Sequence, residues 1–289
     1  MKTITHDQLT PEIAAAGCFV TGMTNEQYHA YPAISNSGLT LIDISPADFA
    51  YAEPRETTRA MEIGTAIHAA LLEPAAFAID YLLLRDVADR RCSEYKQAIA
   101  SHSKAHVLTG KEADKITGMM ASVSINNEAT ELLSRKGHSE LSAFVMCPVN
   151  EVLMKCRFDR ITHDFEVIDI KKTQDSRYES FQRSIAKYRY HVQDAFYSYV
   201  FECITGTPLA SFRFLAIEEN SPHKNKLYEM DDESKQVGHR IAMRNLATYA
   251  ECERNGDYPY PDGSNELMCL PAWALDEIAE SKAFGDMNQ

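Results

Sequence analysis

The chain has 289 residues, 45% of them hydrophobic and 25% charged, with a formal net charge of −13. That length can bury a sizeable core, and the composition is ordinary for a soluble protein. The acidity argues against a surface coated in nucleic acid, but a protein that threads such a substrate needs positive charge only along its path.

No apolar run approaches the ~18 residues of a membrane span. The opening MKTITHDQLTPEI lacks the apolar core of a secretory signal. Seven scattered cysteines fit free thiols in a reducing cytoplasm better than a disulfide framework.

In chain order, residues 1–25 read as a lead-in with a helix at P-E-I-A-A-A. The turn-rich YHAYPAISNSGL (28–39) feeds a helix near 37–43. S-P-A-D (45–48) is a helix start, with Ser45 as cap and Pro46 at the first position. A helix over 59–73 stops before Pro74, and a short strand follows near 79–85. T-G-K-E (109–112) offers a capping box for a helix to about residue 134. Strands are expected at 139–147, 151–161 and 166–171. Over 178–205, Ile185, Tyr188, Val192, Phe196, Tyr199 and Cys203 recur at helical spacing until Gly206 and Pro208 stop it. A strand near 210–218, a helix over 231–254 and a short helix after Pro271 complete the chain. The expectation is one α/β domain over 1–289, with its core at about 59–220 and a helical part at 231–289.

The most informative residues lie in RFDRI (157–161) and VIDIKKT (167–173), two alternating runs joined by the turn T-H-D-F (162–165). A hairpin pivoting on residue 164 sets Asp159 opposite Asp169. Opposed side chains sit roughly 5 Å apart at Cβ, where like charges repel unless a divalent cation lies between them. Lys171 leaves the strand on the same face as Asp169. Two carboxylates and an amine converging on one point suit metal-assisted phosphodiester hydrolysis. A surface hairpin with a salt-bridging lysine is the plainer alternative, but V-I-D-I looks buried and a buried unpaired carboxylate is costly.

Other candidates carry two readings each. His68 in G-T-A-I-H (64–68) is a metal ligand or simply a satisfied helix residue. Gly64 is costly inside a helix, which points to a backbone or ligand coming close. Glu73 lies off His68's helical face and makes no zinc pair with it. Glu140 in G-H-S-E is a third carboxylate for a metal, directly or through water, or an edge-strand charge. Arg189, Gln193 and Tyr197 share a helix face that is either a phosphate-contacting stripe or a plain polar face. Residues 171–191 hold six Lys/Arg against two acids, a local +4. No phosphate-binding loop, Gly-x-Ser-x-Gly or paired Cys-x-x-Cys occurs.

In order, G-T-A-I-H, G-H-S-E, R-F-D-R-I, V-I-D-I-K and Q-D-A-F-Y (193–197) resemble the core of the PD-(D/E)xK nuclease superfamily, RecB-like branch. The stretches YHAYPAISNSGL, IGTAIHAALLEP, CRFDRI, VIDIKKT, YRYHVQDAFY and LPAW extend the likeness to RecE-type exonucleases (exonuclease VIII) from about Tyr28 to Trp273.

The resemblance implies a restriction-endonuclease-like α/β fold, a mixed central sheet flanked by helices. It implies Mg²⁺-dependent 5′-to-3′ digestion of duplex DNA ends, with Mn²⁺ as a substitute, leaving 3′ overhangs for recombination. It also implies a ring-shaped homo-oligomer, a tetramer by preference, and a RecT-like single-strand annealing partner. Carried onto this sequence, His68, Asp159 and Asp169 hold metal, with Glu140 a looser match and the Ile170 carbonyl added. Asp169 bridges two sites, and Lys171 holds the attacking water. Gln193 and Tyr197 match the Q-x-x-x-Y motif. Lys172, Lys187, Arg189 and Tyr190 join them as expected DNA contacts. The competing classes are an endonuclease or single-strand nuclease on the same core, a silent DNA-end-binding accessory, and a small-phosphoester hydrolase.

Overall fold

The computed structural model describes residues 1–53, 57–102, 106–260 and 267–271. Met1–Tyr258 form one compact unit, and Pro259–Gln289 separate as a second. In the second unit the described residues, 259–260 and 267–271, form no helix or strand. The helix expected after Pro271 lies outside the described residues.

The first unit begins with β1 (Thr3–Thr5), α1 (Pro11–Ala16), β2 (Cys18–Thr21), α2 (Asn25–Ala30), α3 (Asn36–Ile44) and α4 (Pro46–Ala50). Then come α5 (Arg59–Leu72), α6 (Pro74–Asp80), β3 (Tyr81–Leu84), α7 (Ser93–Ser101), β4 (His106–Thr109), α8 (Gly110–Ser124) and α9 (Asn127–Ser134). Three long strands follow, β5 (Gly137–Met146), β6 (Leu153–Thr162) and β7 (Glu166–Thr173). The unit closes with α10 (Tyr178–Tyr188), α11 (Tyr190–Thr205), β8 (Ser211–Glu218), β9 (Asn225–Glu229) and α12 (Asp232–Asn255).

Local signals explain many of these boundaries. Ser45 Oγ accepts the Asp48 N–H at 3.0 Å and opens α4. Thr109 and Glu112 form the capping box of α8. Gly206 takes the left-handed conformation, φ 70°, that ends α11.

Seven strands form a mixed sheet in the order β1-β2-β5-β6-β7-β8-β9. β7 and β8 pair in parallel, so the chain crosses over between them through α10 and α11. Residues 1–25 are therefore more than a lead-in, because β1 and β2 extend the sheet beyond β5. Phe19 and Val20 are buried, but a four-residue strand leaves too short a pattern to read. β3 and β4 form a separate two-stranded sheet.

Apolar cores cover both faces of the central sheet. On one face Phe158, Val167 and Phe214 meet Val192, Phe196, Ala242 and Leu246 from α11 and α12. On the other, Ile168 and Ile170 meet Ile63, Ile67, Ile116 and Met119 from α5 and α8. Alternation along β7 thus turns Asp169 toward α11.

Two helices read as continuous are each divided. The helix expected to run to 134 breaks at Asn126, whose side chain caps α9 by accepting the Ala129 N–H at 3.2 Å. The helix expected over 178–205 breaks at Arg189, which adopts φ 59° and ψ 39°. Its guanidinium ion-pairs with Asp43 of α3, as does that of Arg244 from α12. That pairing ties the break to neighbouring elements that no periodicity in 178–205 records.

Candidate active site

The hairpin has the expected register. Arg160 pairs with Ile168 and Ile161 with Val167, which sets Asp159 level with Asp169. The ladder stops at Arg160, however. Instead, Asp159 Oδ2 accepts the Ile170 N–H at 2.7 Å, standing in for a strand partner. On the other side of β6, Ser139 pairs with Arg160 and Leu141 with Phe158, so Glu140 is level with Asp159. Glu140 takes a left-handed φ of 49°, which is unusual for a non-glycine residue. Three carboxylates therefore lie at one level across three strands.

They do not form a single cluster. His68, Glu140 and Asp159 each bring a ligand atom to within 4.8 Å of the others. His68 Nε2 is 3.0 Å from the Ile170 carbonyl, which can only accept, so Nε2 carries a proton. Nδ1 then faces Asp159 Oδ2 at 3.4 Å. A neutral Nδ1 would meet a carboxylate lone pair to lone pair, an arrangement that suits a metal cation between them. The Ile170 carbonyl, expected to point at metal, is engaged by His68.

Asp169 belongs to a second cluster. It is 1% exposed. Gln193 Nε2 donates to its Oδ2 at 2.5 Å, and Lys171 Nζ lies 2.5 Å from its Oδ1. Asp159 and Asp169 still act on each other's charge, so the two sets are adjacent. Burial pushes the Asp169 pKa up, opposed by Lys171 and reinforced by Asp159. Burial works against the Lys171 ammonium, but the two aspartates outweigh it and hold its pKa above the usual value. The Tyr190 ring lies 4.8 Å from the ammonium and the Phe214 ring 5.9 Å, a cation–π seat that fixes its position.

A cleft of about 730 Å³ opens over the first cluster, and His68, Glu140, Asp159 and Tyr197 line it. Tyr197 packs edge-on against Phe158 and Phe212, so its ring is fixed rather than free to stack. Of the other expected DNA contacts, Lys187 is exposed beside the Tyr188 ring. Arg189 is held by Asp43 and does not share a helix face with Gln193. Lys172 is ion-paired with Glu219, which also pairs with Lys115. Tyr190 is the seat of Lys171.

Residues to which the sequence assigned no role complete the cleft. Glu73 ends α5 with φ −137° and ψ 60°, and this turn brings it to the cleft wall despite its place off His68's helical face. Arg157 Nε lies 2.9 Å from Glu140 Oε2. The alternation that placed Lys171 beside Asp169 could have flagged Arg157, two residues before Asp159. Met23, Asn25 and His29 line the same wall, so the N-terminal segment helps build the site.

The model of a PDDEXK-like domain of unknown function (DUF3799) matches residues 42–269. The chain belongs to this PDDEXK-like family. No curated protein matches it. The crystal structure of a "Putative exonuclease" from Eubacterium rectale superposes with a TM-score of 0.57 at 13% identity, covering 89% of this chain and 98% of that one. At that identity the likeness speaks to fold, and the mixed seven-stranded sheet flanked by helices is the restriction-endonuclease-like PDDEXK architecture. A second structure, SSO0001, is 18% identical over 64% of this chain and 85% of that one, with a TM-score of 0.28. Among the described residues, no helix is long and apolar enough to cross a membrane.

PDDEXK nucleases generally use divalent metals, and the residues of this PDDEXK-like chain fit one. Two carboxylates and an imidazole nitrogen converge at the cleft, and oxygen-rich sets suit hard cations. Burial first, then repulsion from Asp159, pushes Glu140 up to about 7. Its folded-state pKa is raised, so its stabilising effect is complete below about 4.5 and is lost as pH rises through about 7. Melting temperature in EDTA should therefore fall across that window. A divalent cation should flatten the fall by replacing the proton, and Glu140→Gln should flatten it without metal. Asp194, pushed up to about 7 chiefly by burial, and Asp169, pushed up to about 6 chiefly by burial, should leave a slope that Glu140→Gln does not remove. A Glu140→Gln profile identical to that of the parent protein would refute the assignment.

Proposed function

We propose that this protein is a Mg²⁺-dependent nuclease that digests linear duplex DNA from its ends, 5′ to 3′. The observation that carries the reading is the His68–Glu140–Asp159 donor set beside a buried Asp169–Lys171 pair braced by Gln193. The chemistry a divalent cation would supply there is stabilisation of charge on the attacked phosphate and the leaving 3′ oxygen. Asp159 and Glu140 would hold it, with His68 Nδ1 as the third donor. Asp169 and Tyr190 fix the Lys171 ammonium, which orients the attacking water. The likeness to the Eubacterium rectale protein, itself given only as a "Putative exonuclease", and the RecE-like motifs support an exonuclease over an endonuclease.

The same motifs support a cytoplasmic ring of identical subunits, a tetramer by preference, that keeps hold of one strand between cuts. They also support delivery of the 3′ overhang to an annealing protein during recombination. The test is Mg²⁺-dependent release of nucleotides from end-labelled linear duplex beside a covalently closed circle of the same sequence. Loss of the 5′ label first, with the circle intact, is the expected result. Cutting of the circle would make the protein an endonuclease, and no release from either would leave an end-binding role.

A further inference from the structure

Among the described residues five glycines lie in helices, and at four of them an added Cβ would meet a close neighbour, at Gly110, the first residue of α8, the Arg85 carbonyl oxygen at 2.2 Å. A Cβ at Gly38 would come 2.7 Å from Ile34 Cδ1, one at Gly118 would come 2.4 Å from the His223 ring, and one at Gly238 would come 2.0 Å from the His191 carbonyl oxygen. Gly64 is different. Among the described residues, a Cβ there meets nothing within 4 Å, and its φ is not in the left-handed region. Neither a close neighbour nor a backbone turn accounts for one of the poorest helix formers in the middle of α5. Gly64 instead lines the cleft one turn before His68, with Met61 and Thr65 beside it.

We propose that Gly64 is a clearance position, where the sugar–phosphate backbone of the strand being cut passes against α5 closer than a side chain would allow. Backbone approach to a ligand is a recognised use of glycine, and phosphate contacts set the register of a nucleic acid on a protein. The proposal rests on the nuclease reading and adds the side of the cleft along which the strand runs. It also predicts graded exclusion, since a methyl group intrudes slightly and an isobutyl group fully.

The experiment compares Gly64→Ala and Gly64→Leu with the parent protein in melting temperature, Mn²⁺ affinity by calorimetry, and steady-state cleavage of linear duplex. Gly64→Ala should melt about 2 °C higher, because alanine favours the helix. Mn²⁺ affinity should stay within twofold in both variants. KM for duplex should rise by about tenfold in Gly64→Ala and by about a hundredfold in Gly64→Leu. Parent-like KM in Gly64→Leu would overturn the proposal, as would a lower melting temperature in Gly64→Ala, which would reveal a packing role. An inactive parent protein would instead count against the nuclease reading.

Discussion

Replacing Lys171 with methionine should lower cleavage of linear duplex by on the order of 10²–10⁴-fold, the range for losing a positioned proton-transfer group. Methionine keeps an unbranched stem against Tyr190 and Phe214, so the change removes mainly the ammonium. Without metal, the variant leaves Asp169 buried beside Gln193 with its cationic partner gone. Breaking such a pair costs about 3–5 kcal/mol, so metal-free Lys171→Met should melt well below the parent protein near pH 8. A divalent cation in the adjacent His68–Glu140–Asp159 set would supply positive charge nearby without binding Asp169, so Mn²⁺ should restore part of the difference. Single-turnover cleavage beside a calorimetric Mn²⁺ titration separates these effects. Retained metal binding with lost turnover is the expected pairing, and turnover within threefold of the parent would remove Lys171 from the mechanism.

Asp159 carries the second large expectation, because it serves fold and chemistry through one carboxylate. It accepts the Ile170 N–H at 2.7 Å and lies 3.4 Å from His68 Nδ1. Asparagine keeps an acceptor for the N–H but removes the charge. Asp159→Asn should therefore keep its melting temperature in EDTA near pH 5, where Glu140 is protonated in the parent protein, and lose cleavage by about 10²–10³-fold or more, as when a group stabilising transition-state charge is removed. Alanine removes both. Asp159→Ala should lose the same activity and also about 1–3 kcal/mol of stability from the orphaned N–H. The two variants differing in activity but not in stability would reverse this division of roles. Because Asp159 also raises the Glu140 pKa, Asp159→Asn should reduce the pH dependence of metal-free stability.

Alternation and the T-H-D-F turn set the hairpin pivot, the level of Asp159 and Asp169, and the shared face of Asp169 and Lys171. Each is a matter of period and local turn chemistry, which adjacent residues control. Arg157 was equally within reach, since it lies two residues before Asp159 on the same strand. Glu73 was not, because the turn that ends α5 reverses the direction that helical spacing assigns to it.

By itself the sequence determined the long hairpin, the capped helices and the residue types at the site, because short-range stereochemistry acts between neighbours. Tertiary structure alone decided how the carboxylates divide. The left-handed Glu140 and the interrupted ladder at Asp159 send one set toward His68 on α5, while Asp169 turns to Gln193 on α11. It also decided that Arg189 serves Asp43, that Lys172 serves Glu219, and that residues 1–25 extend the sheet. These outcomes depend on partners far away in the chain, and no local pattern encodes which distant charge or strand edge a residue will meet.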